Sequence, residues 1–83
     1  MTTVEASLRL DAIASTGFGY SRTKMVSLIE GGSVTIDWKP VSNPAVALQV
    51  GQEVGVRGIG RLIVEDVQTT SKGRFKVKVK KIT

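Results

Sequence analysis

Arg9, Ser21, Arg22, Lys24 and Lys39 stand in the first half of the chain, and their residue types suit one task, the holding of phosphate oxygens. A guanidinium can grip two oxygens at once, an ammonium acts as a point charge, and a serine at a helix start lies beside backbone N–H groups that lack internal acceptors. Bond-making chemistry has no comparable support. The chain contains no histidine and no cysteine, which removes the imidazole base, the thiol nucleophile and metal sites built on either ligand. Glu65 and Asp66 are adjacent carboxylates, but neighbours on a strand face opposite ways and do not share a metal easily. No cofactor and no metal are expected, and the chain does not read as an enzyme.

These residues need helices and strands to position them. Leu8, Leu10, Ile13 and Ala14 recur at helical spacing and predict a helix of about two turns, stopped by Gly17 and Gly19. Ser21 is placed as the N-cap of a second helix with Met25, Val26, Leu28 and Ile29 on its apolar face, and Gly31-Gly32 ends it. Ser33 to Asp37 favours a strand through Val34, Thr35 and Ile36, followed by a Trp-Lys-Pro turn and a loop bracketed by Pro40 and Pro44. Val54 to Arg57 predicts another strand after a turn at Gly51-Gln52. Arg61 to Val67 and Arg74 to Ile82 predict two more, joined as a hairpin through Thr69 to Gly73. In the last strand Phe75, Val77 and Val79 face one way and Arg74, Lys76, Lys78 and Lys80 the other. The expected fold class is α+β: a helix pair packed on a small antiparallel sheet, with an added C-terminal β-hairpin. Both chain ends are expected to fray.

Size and charge narrow the function further. The 83 residues carry 12 basic and 7 acidic side chains, a net charge of +5, and the calculated pI is about 10.0. One domain with one modest core fits that length, and a large catalytic cleft does not. The field of such a chain attracts polyanions, with nucleic acid and acidic membrane surfaces as the two candidates. No apolar run approaches the roughly 20 residues of a membrane span, and residues 1–5 lack the order of a secretory signal. The chain therefore reads as soluble and intracellular.

Each candidate has a bland reading beside the sharp one. Ser21 reads first as a cap, whereas Arg22 and Lys24 lean toward binding: cations at a helix start are disfavoured by roughly 0.3–1 kcal/mol each, a penalty that an external anion would reverse. Asp11 reads as structural, and Arg9 is divided evenly between ligand contact and a structural role, either pairing with Asp11 or covering apolar surface with its stem. Trp38 beside Lys39 could stack on an unpaired base, but in so small a domain a core or rim position is the favoured expectation. Phe18 is assigned to the core and Tyr20 to the edge. The stripe of Lys72, Arg74, Lys76, Lys78, Lys80 and Lys81 holds six of the 12 basic residues. It reads either as protection of an exposed sheet edge or as a second phosphate track. Gly55 to Arg61 is glycine-rich but lacks the ending and context of a nucleotide-binding loop, and reads as a strand link or bulge.

Arg9-Leu10-Asp11, the Gly17 loop, Ser21-Arg22, Leu28-Ile29-Glu30-Gly31-Gly32, Val34-Thr35-Ile36 and Val50-Gly51 together resemble, in order and spacing, the RNA-binding domain named after the fourth small-subunit ribosomal protein, here the S-four domain. The likeness runs from about Leu8 to Arg57. Asp37-Trp38-Lys39 and Gly58-Ile59-Gly60-Arg61 are similar more particularly to the photosystem II S-four domain proteins of bacteria and plastids. In that branch the domain closes a longer chain, so the resemblance implies an excised C-terminal module. It also implies a helix pair of alpha-L type that presents the second helix start and the following turn to structured RNA, carrying the RNA and not the chemistry. One departure is Asp37-Trp38, where many relatives have Asn-Gly.

The expected organisation is an N-terminal extension over residues 1–7, the S-four-like domain over 8–60 and a hairpin packed on it over 61–83. The expected function is non-catalytic binding of structured, ribosomal RNA by a monomer that is part of a longer chain, in the cytoplasm or a plastid stroma. Arg9, Ser21, Arg22, Lys24, Lys39, Arg57, Lys76 and Lys78 are the expected RNA contacts. The competing expectation is a protein-interaction module that docks an acidic partner on its basic face.

Overall fold

Alternation of apolar residues along four strands creates one buried face, and the two helices cover it. The computed structural model describes residues 1–82. The elements run β1 (Thr2–Glu5), α1 (Leu10–Phe18), α2 (Arg22–Glu30), β2 (Val34–Ile36), β3 (Lys39–Val41), β4 (Glu53–Val56), β5 (Gly60–Thr69) and β6 (Phe75–Lys81). The six strands form one antiparallel sheet in the order β1-β6-β5-β4-β2-β3. Val34 and Ile36, Val54 and Val56, Leu62 and Val64, and Val77 and Val79 are buried in a single cluster with Leu10, Ile13, Ala14, Phe18, Met25 and Ile29 of the helices. Thr35, Arg61, Lys76, Lys78 and Lys80, at the alternate positions, therefore lie on the opposite, outer face of the sheet.

The α+β expectation of a helix pair on an antiparallel sheet matches this architecture, with several local differences. Helix α1 starts at Leu10, not Leu8, because Leu8 to Leu10 run extended against the 46–48 segment: Leu48 N donates to Leu8 O at 2.8 Å and Leu10 N to Val46 O at 2.8 Å. Asp11 N likewise donates to Pro44 O at 3.1 Å. Loop carbonyls thus satisfy the first donors of α1, and its N-cap, Arg9, makes no side-chain cap bond. Helix α2 is capped as expected, with Ser21 Oγ accepting from Lys24 N at 3.1 Å.

Two strands were not foreseen. Thr2 to Glu5, expected to fray, pair with Lys78 to Phe75 of β6. Lys39-Pro40-Val41, expected as a turn and loop, form the edge strand β3; Pro40 lies opposite Thr35, and an edge position tolerates its missing N–H. The strand expected to end at Val67 continues to Thr69, with a bulge at Glu65 between the pairs Val64–Val79 and Asp66–Lys78. That extra residue changes which parity of β5 faces the helices, from Leu62 and Val64 to Val67. It also breaks the simple opposite-face relation of Glu65 and Asp66; both are exposed. Among the described residues no helix is long and apolar enough to cross a membrane.

Candidate nucleic-acid interface

The starts of the two helices meet on one carboxylate. Asp11 is only 2% exposed, and it accepts from Arg9 Nε at 3.1 Å, Arg9 Nη2 at 3.0 Å and Arg22 Nη2 at 3.3 Å. Burial pushes the Asp11 carboxyl up, but the hydrogen bonds and charges of Arg9 and Arg22 outweigh it and hold it below its ordinary value. The Arg9 guanidinium is raised in return by its hydrogen bond and attraction to Asp11. Both arginine side chains remain about half in water, at 43% and 54% exposure. The trio carries two positive charges and one negative, so its exposed rim is cationic. Arg22, read from the sequence as leaning toward anion binding, is braced by Asp11. Lys24, one residue beyond Thr23, is exposed and makes no ion pair among the described residues. Ser21 serves as the cap.

A second group surrounds the β2–β3 hairpin. Its two-residue loop, Asp37 and Trp38, has φ of 50° and 69°, the positive values that a primed hairpin turn requires and that side chains other than glycine, asparagine and aspartate rarely adopt. Asp37 pins the turn to β4: its N donates to Glu53 O at 2.8 Å, and its Oδ1 accepts from Glu53 N at 3.0 Å. Trp38 is 70% exposed, which corrects the expectation of a core or rim position. The turn geometry projects the indole away from the helix-covered core. Phe18 is buried and Tyr20 exposed, as expected. Lys39, opposite the inward-facing Ile36, is exposed on the helix side of β3. Arg57 is exposed in the β4–β5 turn, its backbone N held by Ser33 O at 2.9 Å.

Arg61 is the residue missing from the sequence-based set. It lies in cross-strand register with Gly55, and Gly55 with Thr35. Its guanidinium lies 3.4 Å from the centre of the Trp38 ring, while Nε donates to Glu53 Oε1 at 2.9 Å. Nη2 is buried without a hydrogen-bond partner. Gly55 lets the arginine lie flat, since a Cβ there would overlap Arg61 Nη1 and approach Arg61 Cζ at 2.9 Å. The usable signal was a glycine at the outward position between inward Val54 and Val56, a mark of close approach on the outer face.

The third group is the lysine stripe of β6. Lys76 and Lys78 are exposed, but β6 lies between β1 and β5, so they do not guard a free edge. The edge-protection reading is corrected accordingly. Nor is the stripe free of acid, because Lys78 lies opposite Asp66. Lys81 leaves the stripe for the helix side, 5.9 Å from the Phe18 ring centre. The basic residues do not gather on one edge: Arg9, Arg22, Lys24 and Lys39 belong to the helix side, and Lys76 and Lys78 to the outer face. Among the described residues no cluster of carboxylates could hold a metal ion.

Comparison with known proteins agrees with this architecture. Residues 8–54 match the family described as the S4 domain, more than half of the chain. The chain belongs to the S4 domain family. A relative of this S4 domain is the "Ribosome-associated protein quality control protein P2" of Bacillus subtilis (strain 168), 33% identical over 73 residues. The match takes in 87% of this chain but only 28% of that protein's length. Among solved structures, "Crystal structure of pseudouridylate synthase" superposes with a TM-score of 0.59 over 71% of this chain and 24% of that one, at 22% identity. That likeness concerns the fold of the S4 domain and carries no catalytic residue across.

Proposed function

We propose that this S4 domain is a non-catalytic RNA-binding module that grips structured, ribosomal RNA by its phosphates. One observation carries the reading: two half-exposed arginines, one from each helix start, are held on a single buried carboxylate. Asp11 fixes both guanidiniums before any ligand arrives, so part of the side-chain entropy that a phosphate contact costs is already spent. Arg9 keeps Nη1 for a ligand, and Arg22 keeps Nη1 and Nε. Lys24 adds a free ammonium, while Ser21 holds the helix start that points toward the same anion. Lys39 extends this helix-side surface, Arg57 contributes from the β4–β5 turn, and Lys76 and Lys78 form a separate auxiliary track.

A ribosomal target is favoured by the name of the Bacillus subtilis relative, of which this domain corresponds to a part. The domain would act as a monomer within a longer chain, in the cytoplasm where ribosomes work. Crosslinking it to cellular RNA and sequencing the bound fragments tests the target: ribosomal fragments are expected to dominate. Enrichment of transfer or messenger RNA alone would overturn the ribosomal assignment, and no enrichment of any RNA would overturn the reading itself.

A further inference from the structure

Trp38 carries two costs to the fold. A bulky side chain sits at φ 69°, where glycine would be unstrained, and 70% of its surface faces water, where it contributes little to the core. Such a residue in a tight, well-pinned turn points to a contact made outside the domain. What lies beneath it indicates the kind of contact. Arg61 covers one side of the indole at 3.4 Å, so the exposed surface includes the opposite side of the ring. Trp38, Thr35, Gly55, Arg57 and Arg61 line an open groove of about 580 Å³ on the outer side of the sheet. Arg61 is itself held by its ion pair with Glu53, and Gly55 leaves the room it occupies.

We infer that Trp38, backed by Arg61, is a stacking platform for one unpaired nucleobase of the bound RNA. Arg57, in the same groove, takes the phosphate next to that base. The inference rests on the RNA-binding reading and adds to it a means of selecting a bulged or looped nucleotide over a continuous duplex. A flat indole with a fixed cation behind it and a free cation beside it matches a base joined to a phosphate. An acidic peptide offers carboxylates but need not present a flat ring, so the indole would remain unused. Arg61 Nη2, buried and without a partner, gives the platform one further donor if the turn shifts on binding. Stacking is sequence-tolerant because every base has a flat face, so the platform reads the unpaired state more than base identity.

Trp38 is the only tryptophan, so the tryptophan emission of the unaltered domain, excited selectively over that of Tyr20, reports this site alone. The experiment titrates the domain with two RNA hairpins that differ only in one bulged nucleotide, following both emission and affinity. Quenching is expected with the bulged hairpin, which should bind more tightly than the paired one. Trp38→Ala should weaken binding of the bulged hairpin by about 5- to 150-fold, the range set by one base stacked on an aromatic side chain. Trp38→Phe should retain part of the affinity, and Arg22→Ala with Lys24→Ala should weaken binding of both hairpins. Unchanged emission at saturation, or equal binding of the two hairpins by the unaltered domain, would overturn the platform and leave RNA binding standing. Loss of binding to both hairpins alike in Trp38→Ala, with Trp38→Phe no better, would also overturn it, as the residue would then serve only the fold. Quenching by an acidic peptide but by neither hairpin would do the same. If the unaltered domain binds neither RNA, the underlying RNA-binding reading fails with it.

Discussion

Asp11 serves the fold and, under the proposed function, would serve the ligand as well. Its folded pKa lies below its unfolded value, so the ionised form favours the folded state; the contribution is present above the unfolded value of about 3.9 and is lost as pH falls through the folded one. Asp11→Asn should therefore lower stability near pH 7 by about 1–3 kcal/mol, the range for losing charge-assisted hydrogen bonds at a buried group. Urea unfolding of both proteins across pH should show that difference shrinking below about pH 4; a difference independent of pH would contradict the assignment. Asp11 was legible as structural because an acid in a first helical turn has a local physical role. The brace on Arg22 was not, since it depends on Asp11 and Arg22, 11 residues apart on two different helices, meeting in space. Trp38 was misplaced for a similar reason. Its size argued for burial, whereas its exposure follows from the positive φ of the turn, a property hinted at only by its place where relatives carry Asn-Gly. At Gly55, substitution by alanine should drive the flexible end of Arg61 out of its seat, with little overpacking strain because the guanidinium can swing toward solvent. A shift in tryptophan emission would record the disturbed stack, and an unchanged emission would contradict it.

At the scale of elements, the close packing of α1 on the sheet is concentrated at Gly17. A Cβ there would stand 2.6 Å from Leu62 Cδ2, a fully buried side chain. Alanine would gain about 1 kcal/mol of helix propensity, but overpacking against Leu62 costs about 1–3 kcal/mol, so Gly17→Ala is expected to lower the Tm. A raised Tm would mean that the helix moves off the sheet without loss. Strand β1 makes a separate prediction. Deleting residues 1–5 would uncover the backbone edge of β6, lowering the Tm and promoting association through that edge; thermal unfolding and light scattering would detect both, and an unchanged Tm and particle size would refute them. The sequence signals that succeeded here were local: the Ser21 cap, the alternation in β6 and the glycines after α2. Strand β1 escaped because its pairing partners lie far along the chain, Thr2 opposite Lys78 and Glu5 opposite Phe75. Strand β3 escaped because Pro40 signals a break unless its edge position is known, and the β5 bulge escaped because the change of face appears only once β6 is aligned beside it.

Across the whole molecule, the net charge of +5 is divided between two surfaces rather than gathered on one. The helix-side group contains arginines already oriented by Asp11, whereas the β6 lysines are long, separate cations with an acid opposite one of them. Under the proposed function the main grip therefore belongs to the helix side, and the stripe adds a smaller, less specific attraction. Basic composition alone made a polyanion ligand legible, but the division into two faces required the sheet order and its register. The most direct measurement is RNA affinity as a function of salt for the unaltered domain and for Arg22→Ala with Lys24→Ala. Affinity should fall steeply with salt in the unaltered domain. If both residues contact phosphates, the double variant should bind more weakly at low salt, and its log–log slope should be shallower by about 1.4–1.8. An unaltered domain without RNA affinity in low salt, or a double variant with the same affinity and the same slope, would contradict the central claim.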